Sequence, residues 1–297
     1  MNGNEYKNKY ENINDFLSAC ASDFVTAGQK SETARRLVKS YKNAASSREN
    51  FVVLHGLWAH EKAFAAHMTV QSFLLCPQIA KWPEIAEITR KFMKIAENRY
   101  IINKRTFSRI TDYGDPDGIL SLARLKFRGA NDFNQKNGNV VFVLDGLVKP
   151  GNIGVIIRAC DGAGVGAILV CGLRTSVTHP NAIKASMGAA FTVPIIRFDG
   201  AAACKKWLME NGYQIYVADP AAETRYDKPD YSGKIAVVMG NEHIGADRVW
   251  YDGSAHPFSI PMCGACDSLN VSVAAAILAY EIRSRKAGVN PSENPTP

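Results

Sequence analysis

Three segments that begin with small and polar residues in the C-terminal half of the chain each follow an apolar run. They begin at Asn152, Gly240 and Ser268. A short apolar run that gives way to small and polar residues is typical of a buried strand followed by a loop. Open α/β sheets bind their ligands in the loops at the carboxyl ends of the strands. The pattern therefore predicts an α/β domain in which these three loops form one ligand site.

The residues in these segments resemble three motifs of the SpoU/TrmH class of the SPOUT RNA methyltransferases. The motifs occur in the family's order and spacing, and the similarity covers residues from about 140 to 285. The matched residues are Asn152, Gly154 and Arg158 for the first motif, 240–245 for the second, and 260–262 with 268–274 for the third. One such motif is weak evidence, but all three in register are strong evidence for the resemblance.

The resemblance implies a function and a fold. The function is transfer of a methyl group from S-adenosylmethionine to the 2′-hydroxyl of a ribose in RNA, with ribosomal RNA favoured over transfer RNA by the two-domain layout. The fold is a C-terminal SPOUT α/β trefoil-knot domain with a mostly parallel sheet, preceded by a smaller L30e-like α/β domain. A homodimer with active sites built from both subunits is also implied. A tRNA 2′-O-methyltransferase and a non-catalytic RNA-binding or ribosome-assembly protein on the same scaffold are the alternatives.

The resemblance also implies roles for individual residues. Because a guanidinium stays charged at every physiological pH, we expect Arg158 to hold a target phosphate and stabilise a developing alkoxide, with base catalysis as the other option. The expected catalytic residues are Arg158, Asn152, Glu242, Ser268 and Asn270. The expected cofactor-binding residues are Ala218, Met239, Gly240, Asn241, Gly245, Ile260, Met262 and Leu269. Taken singly, Asn152 could instead be a turn residue, Glu242 a surface acid, and Ser268 and Asn270 helix caps.

Length and composition predict a two-domain cytoplasmic protein. The chain has 297 residues, of which 46% are hydrophobic and 21% charged, which is ordinary for soluble globular proteins. Residues 1–14 lack the apolar core of a signal peptide, and no apolar stretch reaches the ~18 residues that cross a bilayer. We expect domains at 1–133 and 139–286, and a disordered tail at 287–297, where three prolines occur.

Seven cysteines are scattered along the chain, an arrangement that favours reduced thiols in the cytoplasm. Cys263 and Cys266 form the one CxxC pair. A structural zinc site needs about four ligands, and neither a second pair nor histidines at ligand spacing accompany them. We therefore expect no metal site, and the proposed reaction needs none.

The positive charge lies in the N-terminal part. Residues 1–138 hold 21 Lys and Arg against 14 Asp and Glu, whereas residues 139–297 hold 14 of each. An RNA partner would favour this asymmetry through phosphate contacts, although a basic solvated surface is equally compatible with charge alone. The candidate RNA-binding residues are Arg35, Arg36, Lys39 and Arg48.

Periodicity predicts an α/β order in both halves. In the first half we expect helix over 11–47, 60–67 and 80–98, and strands over 51–56, 70–76 and about 118–124, followed by a polar linker at 128–138. In the second half we expect strands over 139–145, 167–171, 191–196, 214–218, 235–239 and 258–260, and helices over 153–163, 181–188, 200–211 and 270–286.

The glycines at 162, 164 and 166 superficially suggest a dinucleotide-binding loop. That loop must follow a strand and open a helix. Here the glycines follow a predicted helix and lead into a strand, so we interpret them as a helix stop and turn. A dinucleotide-dependent oxidoreductase is therefore disfavoured.

Overall fold

The computed structural model describes residues 12–28, 32–42, 50–111, 117–133 and 139–286. The chain divides into two compact units, Met1–Leu125 and Lys126–Pro297. Residues 126–133, which the sequence prediction places in the first domain, belong to the second unit. The backbone N–H of Arg128 donates to the carbonyl of Ile195 at 2.8 Å, and the Arg197 guanidinium lies over the Phe127 ring. Within the described ranges, no helix has the length and apolar character to span a bilayer.

The N-terminal unit has a five-stranded sheet with strand order β1-β4-β3-β5-β2. Strands β1, β4 and β3 are parallel, and β5 runs antiparallel to β3 and β2. Leu37, Tyr41 and Phe107 belong to one buried cluster with side chains of the sheet, and they join α2 and α5 to it. The described elements are α1 (Ile13–Cys20), β1 (Val25–Ala27), α2 (Glu32–Lys42), β2 (Phe51–His55), α3 (Gly56–Ala65), β3 (Thr69–Leu75), α4 (Ala86–Ile95), β4 (Ala96–Ile102), α5 (Lys104–Ile110) and β5 (Ile119–Arg124).

Two helices predicted for the N-terminal unit are wrong in part. The predicted helix over 11–47 is interrupted by β1, and the predicted helix over 80–98 ends at Ile95, where β4 begins. Both strands form because β4 pairs with β1 on one side and β3 on the other. Such pairing between distant segments overrides local periodicity. The short helix α5, capped by Asn103 (Oδ1 accepts from the Thr106 N–H at 2.9 Å), was also missed.

The C-terminal unit has a six-stranded sheet with strand order β11-β9-β10-β6-β7-β8, and every pairing in it is parallel. The strands predicted near 140, 167, 214 and 235 are confirmed, while β8 and β11 lie a few residues away from the predicted positions. The described elements are β6 (Val140–Asp145), α6 (Pro150–Gly162), β7 (Ala167–Cys171), α7 (Pro180–Ser186), β8 (Ile195–Arg197), α8 (Ala201–Glu210), β9 (Tyr213–Ala218), β10 (Lys234–Met239), β11 (His256–Phe258) and α9 (Val271–Lys286). The knot and the L30e-like identity of the first unit stay predictions.

Helix α6 carries Asn152 and Arg158, and two glycines fix its position. A Cβ at Gly154 would lie 2.2 Å from the carbonyl oxygen of Ala182, so only glycine permits the close packing of α6 on α7. Gly164 has φ +70° in the turn after the helix. Because α6 ends at Gly162 and β7 starts at Ala167, the interpretation of these glycines as a helix stop is confirmed.

Candidate active site

A pocket of about 340 Å³ opens at the carboxyl edge of the C-terminal sheet. This volume lies within the range of small-molecule sites. The lining residues are Lys149, Ala218, Asp219, Pro220, Met239, Gly240, Asn241, Glu242, His243, Gly245, Phe258, Ile260, Met262, Ser268, Leu269, Asn270, Val271 and Ala274. They include all eight residues expected to bind a cofactor and three of the five expected catalytic residues. The structure thus brings the second and third motif loops together, and Asn152 of the first motif joins them through hydrogen bonds.

Asn241 organises the loop after β10. Its backbone N–H donates to the Gly245 carbonyl at 2.9 Å, and the Gly245 N–H donates back at 3.0 Å. Its side-chain oxygen accepts from the N–H groups of His243 (2.9 Å) and Ile244 (3.2 Å), and its Nδ2 donates to the Gly146 carbonyl at 2.8 Å. One buried side chain therefore closes the loop and ties it to the end of β6.

The two glycines of this loop have different physical roles. A Cβ at Gly240 would lie 2.3 Å from the backbone nitrogen of Ala246, so the loop closes only around glycine. Gly245 has φ +74°, a left-handed conformation that glycine adopts without strain. Both glycines were expected among the cofactor-binding residues. The geometry shows that the fold of the loop itself favours glycine at both positions.

Asp145 is a second anchor of the loop, and sequence reasoning missed it. Its side chain is buried, and Oδ2 accepts from the Asp247 backbone N–H at 2.7 Å and from the Trp250 indole N–H at 2.9 Å. A carboxylate needs such donors when it is buried. A charged residue that ends an otherwise apolar strand was the signal that could have revealed it.

A chain of hydrogen bonds between polar side chains, the polar chain, joins all three motifs. Asn152 Nδ2 donates to Glu242 Oε1 at 2.7 Å, and Asn270 Nδ2 donates to Asn152 Oδ1 at 3.3 Å. Asn270 Oδ1 also accepts from the N–H and hydroxyl of Ser272, and thus caps α9. The capping reading of Asn270 is therefore confirmed, and the same side chain takes part in the polar chain.

The pKa of Glu242 lies below its ordinary value. Burial is the largest single influence and raises this pKa. Four groups lower the pKa and together outweigh burial: the Glu242 backbone N–H, the Asn152 amide, the Val148 backbone N–H and the Lys149 ammonium. Oε2 is buried and has no partner with hydrogen-bond geometry among the described residues. Glu242 is consequently an ionised, fixed carboxylate rather than a solvated surface acid.

Within a single copy of the protein, Arg158 lies apart from the hydrogen-bonded residues Asn152, Glu242 and Asn270. It is exposed on α6, forms no part of the pocket wall, and has no hydrogen bond or ion pair with the described residues. Ser268 does line the pocket and is exposed. The structure therefore unites four of the five expected catalytic residues, and leaves the arginine on an open helix face.

Several pocket residues were not expected from the sequence. His243 was not among the expected site residues, yet it lines the pocket. Asp219 follows β9 directly, and this position at a strand's carboxyl end was the available signal. The other unexpected lining residues are Lys149, Pro220, Phe258, Val271 and Ala274.

The remaining candidate residues lie outside the pocket. Cys263 and Cys266 are exposed, and the described residues contain no cluster of three or more metal-ligating side chains. In the N-terminal unit α2 packs on α5, and both helices expose cations. These exposed cations are Arg35, Arg36, Lys39 and Lys42 on α2 and Lys104, Arg105 and Arg109 on α5. Arg48 and the predicted tail at 287–297 lie outside the described residues.

Comparison with known proteins identifies the family. The model of the SpoU rRNA Methylase family matches residues 139–280. A 23S rRNA (guanosine-2′-O-)-methyltransferase RlmB from Haemophilus influenzae is 32% identical over 195 residues, which cover 63% of this chain and 78% of the relative. The chain belongs to the SpoU methylase family. Its pocket and polar chain are therefore the motif-bearing site of a SpoU methylase domain.

Solved structures resemble both units of this SpoU family member. A crystal structure of an RNA 2′-O ribose methyltransferase aligns with a TM-score of 0.72 and 25% identity, and covers 89% of this chain and 100% of that one. An AdoMet-bound rRNA methyltransferase from Sinorhizobium meliloti aligns with a TM-score of 0.75 and 23% identity, over 87% of this chain and 97% of that one. The second likeness supports the fold.

Proposed function

We propose that this protein is an S-adenosylmethionine-dependent methyltransferase that modifies the 2′-hydroxyl of a ribose in RNA, with ribosomal RNA as its substrate. The observation that carries the proposal is the single pocket in which the motif loops meet, bordered by the chain of Asn270, Asn152 and Glu242. Family membership and the named activity of the RlmB relative support it. RNA as substrate also supports a cytoplasmic location.

The pocket residues fit S-adenosylmethionine. Phe258, Ile260 and Leu269 supply an apolar wall for the base, and the Glu242 carboxylate complements a ligand that carries positive charge. When bound, this cofactor supplies a methyl group activated by a sulfonium. The loop closed by Asn241 presents backbone groups whose positions are fixed before the ligand arrives.

The polar chain orients groups rather than exchanging protons. Methyl transfer is accelerated by holding the acceptor oxygen in line with the methyl carbon. Asn152 is held between Glu242 and Asn270, so its amide cannot rotate freely. The ionised Glu242 fixes this orientation across neutral pH. We infer that these three side chains position the ribose hydroxyl.

Arg158 reaches the site in a homodimer. Helices α6 and α9 pack together and leave apolar side chains open: Val155 is 41% exposed, Val273 48% and Tyr280 53%. Arg158 follows Val155 by three residues and shares that side of α6. We infer that a second copy covers this surface and that its Arg158 enters the neighbouring pocket to stabilise the developing alkoxide.

Mixing two inactive variants tests the shared site. Arg158→Ala and Glu242→Gln chains, refolded or co-expressed together, would form heterodimers with one intact site if the two residues come from different subunits. Partial recovery of methyl transfer supports the dimer arrangement. If mixtures stay inactive although heterodimers form, both residues act within one chain.

The N-terminal unit would bind the RNA. Helices α2 and α5 form one basic surface, and their sequences contain a single acid, Glu32. Lys and Arg contacts to phosphates release counterions, so affinity falls as salt rises. Replacing Arg35, Arg36 and Lys39 by Gln should weaken RNA binding, flatten its salt dependence and leave cofactor affinity unchanged. Equal loss of both affinities would show a structural role instead.

Methyl transfer to purified RNA tests the proposed activity. Ribosomal RNA and transfer RNA are incubated separately with enzyme and isotopically labelled S-adenosylmethionine, and nucleosides are analysed by mass spectrometry. Label in a 2′-O-methylated nucleoside of ribosomal RNA is the expected result. Label in transfer RNA alone would show that transfer RNA is the substrate in place of ribosomal RNA. Cofactor binding without transfer to either RNA would favour a non-catalytic RNA-binding protein.

A further inference from the structure

Asp219 is a pocket carboxylate that the proposed chemistry has not used. It follows β9 directly, and only it and Glu242 supply carboxylates among the residues that line the pocket. Glu242 is engaged with Asn152. Asp219 therefore offers the other anionic side chain to a ligand in this pocket.

The orientation of Asp219 is fixed by its neighbours. The Tyr251 hydroxyl donates to Oδ2 at 3.0 Å, and the Ala221 backbone N–H donates to Oδ1 at 2.9 Å. The Asp219 N–H in turn donates to the Phe258 carbonyl at 3.0 Å. Each carboxylate oxygen can accept more than one hydrogen bond, so acceptor capacity remains on both. The carboxylate is held ready for a ligand donor.

Tyr251 remains a hydrogen-bond donor at neutral pH. Burial, the Asp219 carboxylate and then the Asp145 charge raise the pKa of Tyr251 to about 12. The Tyr251 hydroxyl therefore keeps the proton that it donates to the Asp219 carboxylate in a hydrogen bond. Tyr251 is thus a positioning residue for the carboxylate.

The sheet order separates Asp219 from the polar chain. Strand β9 lies between β10 and β11, whereas Asn152 lies in the first turn of α6, the helix that follows β6, and β6 is two strands away from β9. Adjacent strands are ~4.8 Å apart, so the carboxyl ends of β9 and β6 are ~10 Å apart. A ligand whose methyl group faces Asn152 therefore presents a distant part of itself to Asp219.

The residues around Asp219 indicate which part of the ligand it contacts. Ala218, Phe258 and Ile260 lie beside it and form an apolar wall suited to a purine. An adenosyl group joins such a base to a sugar with two adjacent hydroxyls. A carboxylate accepts well from ribose hydroxyls, as it does in dinucleotide-binding folds.

We propose that Asp219, held by Tyr251, accepts hydrogen bonds from the ribose hydroxyls of the adenosyl group and so sets the direction in which the cofactor lies in the pocket. The inference rests on the proposed function and names the recognition of its cofactor. The base lies on the β9 and β11 side, and the transferred methyl group on the side of Asn152. The sugar recognised here belongs to the cofactor and not to the RNA.

Binding measurements with cofactor fragments test this assignment. Affinities of S-adenosylmethionine, 5′-methylthioadenosine, adenosine and 2′,3′-dideoxyadenosine are measured by calorimetry for the wild-type protein, Asp219→Ala and Tyr251→Phe. Asp267→Asn removes an exposed acid outside the pocket wall and is the charge-matched control. Because a hydrogen bond to a charged group is lost, Asp219→Ala should weaken S-adenosylmethionine and 5′-methylthioadenosine alike, by about 10- to 100-fold.

Three results decide the assignment. Loss of the preference for adenosine over 2′,3′-dideoxyadenosine in Asp219→Ala, with a smaller loss in Tyr251→Phe, supports it. Weaker S-adenosylmethionine binding with unchanged 5′-methylthioadenosine binding overturns it, because Asp219 would then contact the cofactor's ammonium group. Unchanged affinity for both also overturns it. Failure of the wild-type protein to bind S-adenosylmethionine would instead contradict the proposed function itself.

Discussion

Replacing Asn152 by alanine should destabilise the C-terminal unit by an amount that depends on pH. Its amide donates to the Glu242 carboxylate at 2.7 Å, and the other carboxylate oxygen has no partner with hydrogen-bond geometry among the described residues. Removing a donor from a charged group costs about 1.5–3 kcal/mol. The longer contact from Asn270, at 3.3 Å, adds little. We expect a loss of about 2 kcal/mol at neutral pH.

The pH dependence follows from the lowered pKa of Glu242. A carboxyl whose pKa in the folded state lies below its ordinary value of 4.5 contributes stability above that value. The contribution disappears as the pH falls through the lowered pKa. The difference between wild type and Asn152→Ala should therefore be largest near neutral pH and shrink in acid.

Urea denaturation at about pH 7 and about pH 3.5 measures the difference. Hydrogen exchange of peptides from β6 and α6 distinguishes the transition of the C-terminal unit from that of the N-terminal unit. Glu242→Gln supplies the control, because the neutral amide keeps an acceptor without charge, and Asn152→Ala should cost only about 0.5–1.5 kcal/mol in that background. A difference that is the same at both pH values, or the same in both backgrounds, would refute the role given to this pair.

Three other substitutions test the packing and the catalytic residues. Gly240→Ala places a Cβ 2.3 Å from loop backbone and should reduce cofactor affinity more than about tenfold, whereas Gly264→Ala, with open space around it, should leave calorimetric affinity unchanged. Arg158→Lys keeps the charge but loses the planar fork; turnover should fall with cofactor affinity intact, and wild-type turnover would contradict its role. Gly154→Ala should lower the melting temperature because its Cβ meets α7 backbone at 2.2 Å, while Gly151→Ala in the same helix meets nothing within 4 Å and should not.

The sequence predicted those parts of the fold that depend on buried parallel strands. The strands Val140–Asp145, Tyr213–Ala218 and Lys234–Met239 are mostly apolar because both faces of the sheet are covered. Once these strands are parallel, their carboxyl ends must lie at one edge. The resemblance to the SpoU/TrmH class implied that Ala218 and Gly240 bind the cofactor, and this shared edge explains why both line one pocket.

The features that the sequence did not reveal depend on contacts between distant residues. Strand β4 contains Glu97, Asn98 and Arg99, and only its two strand neighbours make it extended. Asp145 looks like an ordinary strand end until Trp250, far along the chain, donates to it. Periodicity reports on neighbours along the chain, so it cannot supply such partners.

A crystal structure of the protein with S-adenosylmethionine would show whether the three motif loops bind the cofactor as proposed. The cofactor should occupy the pocket at the carboxyl edge of the C-terminal sheet, with its adenosyl group beside Asp219 and Phe258 and its methyl group facing Asn152 and Asn270. A cofactor bound elsewhere, or bound here with the methyl group directed away from the two asparagines, would contradict the account.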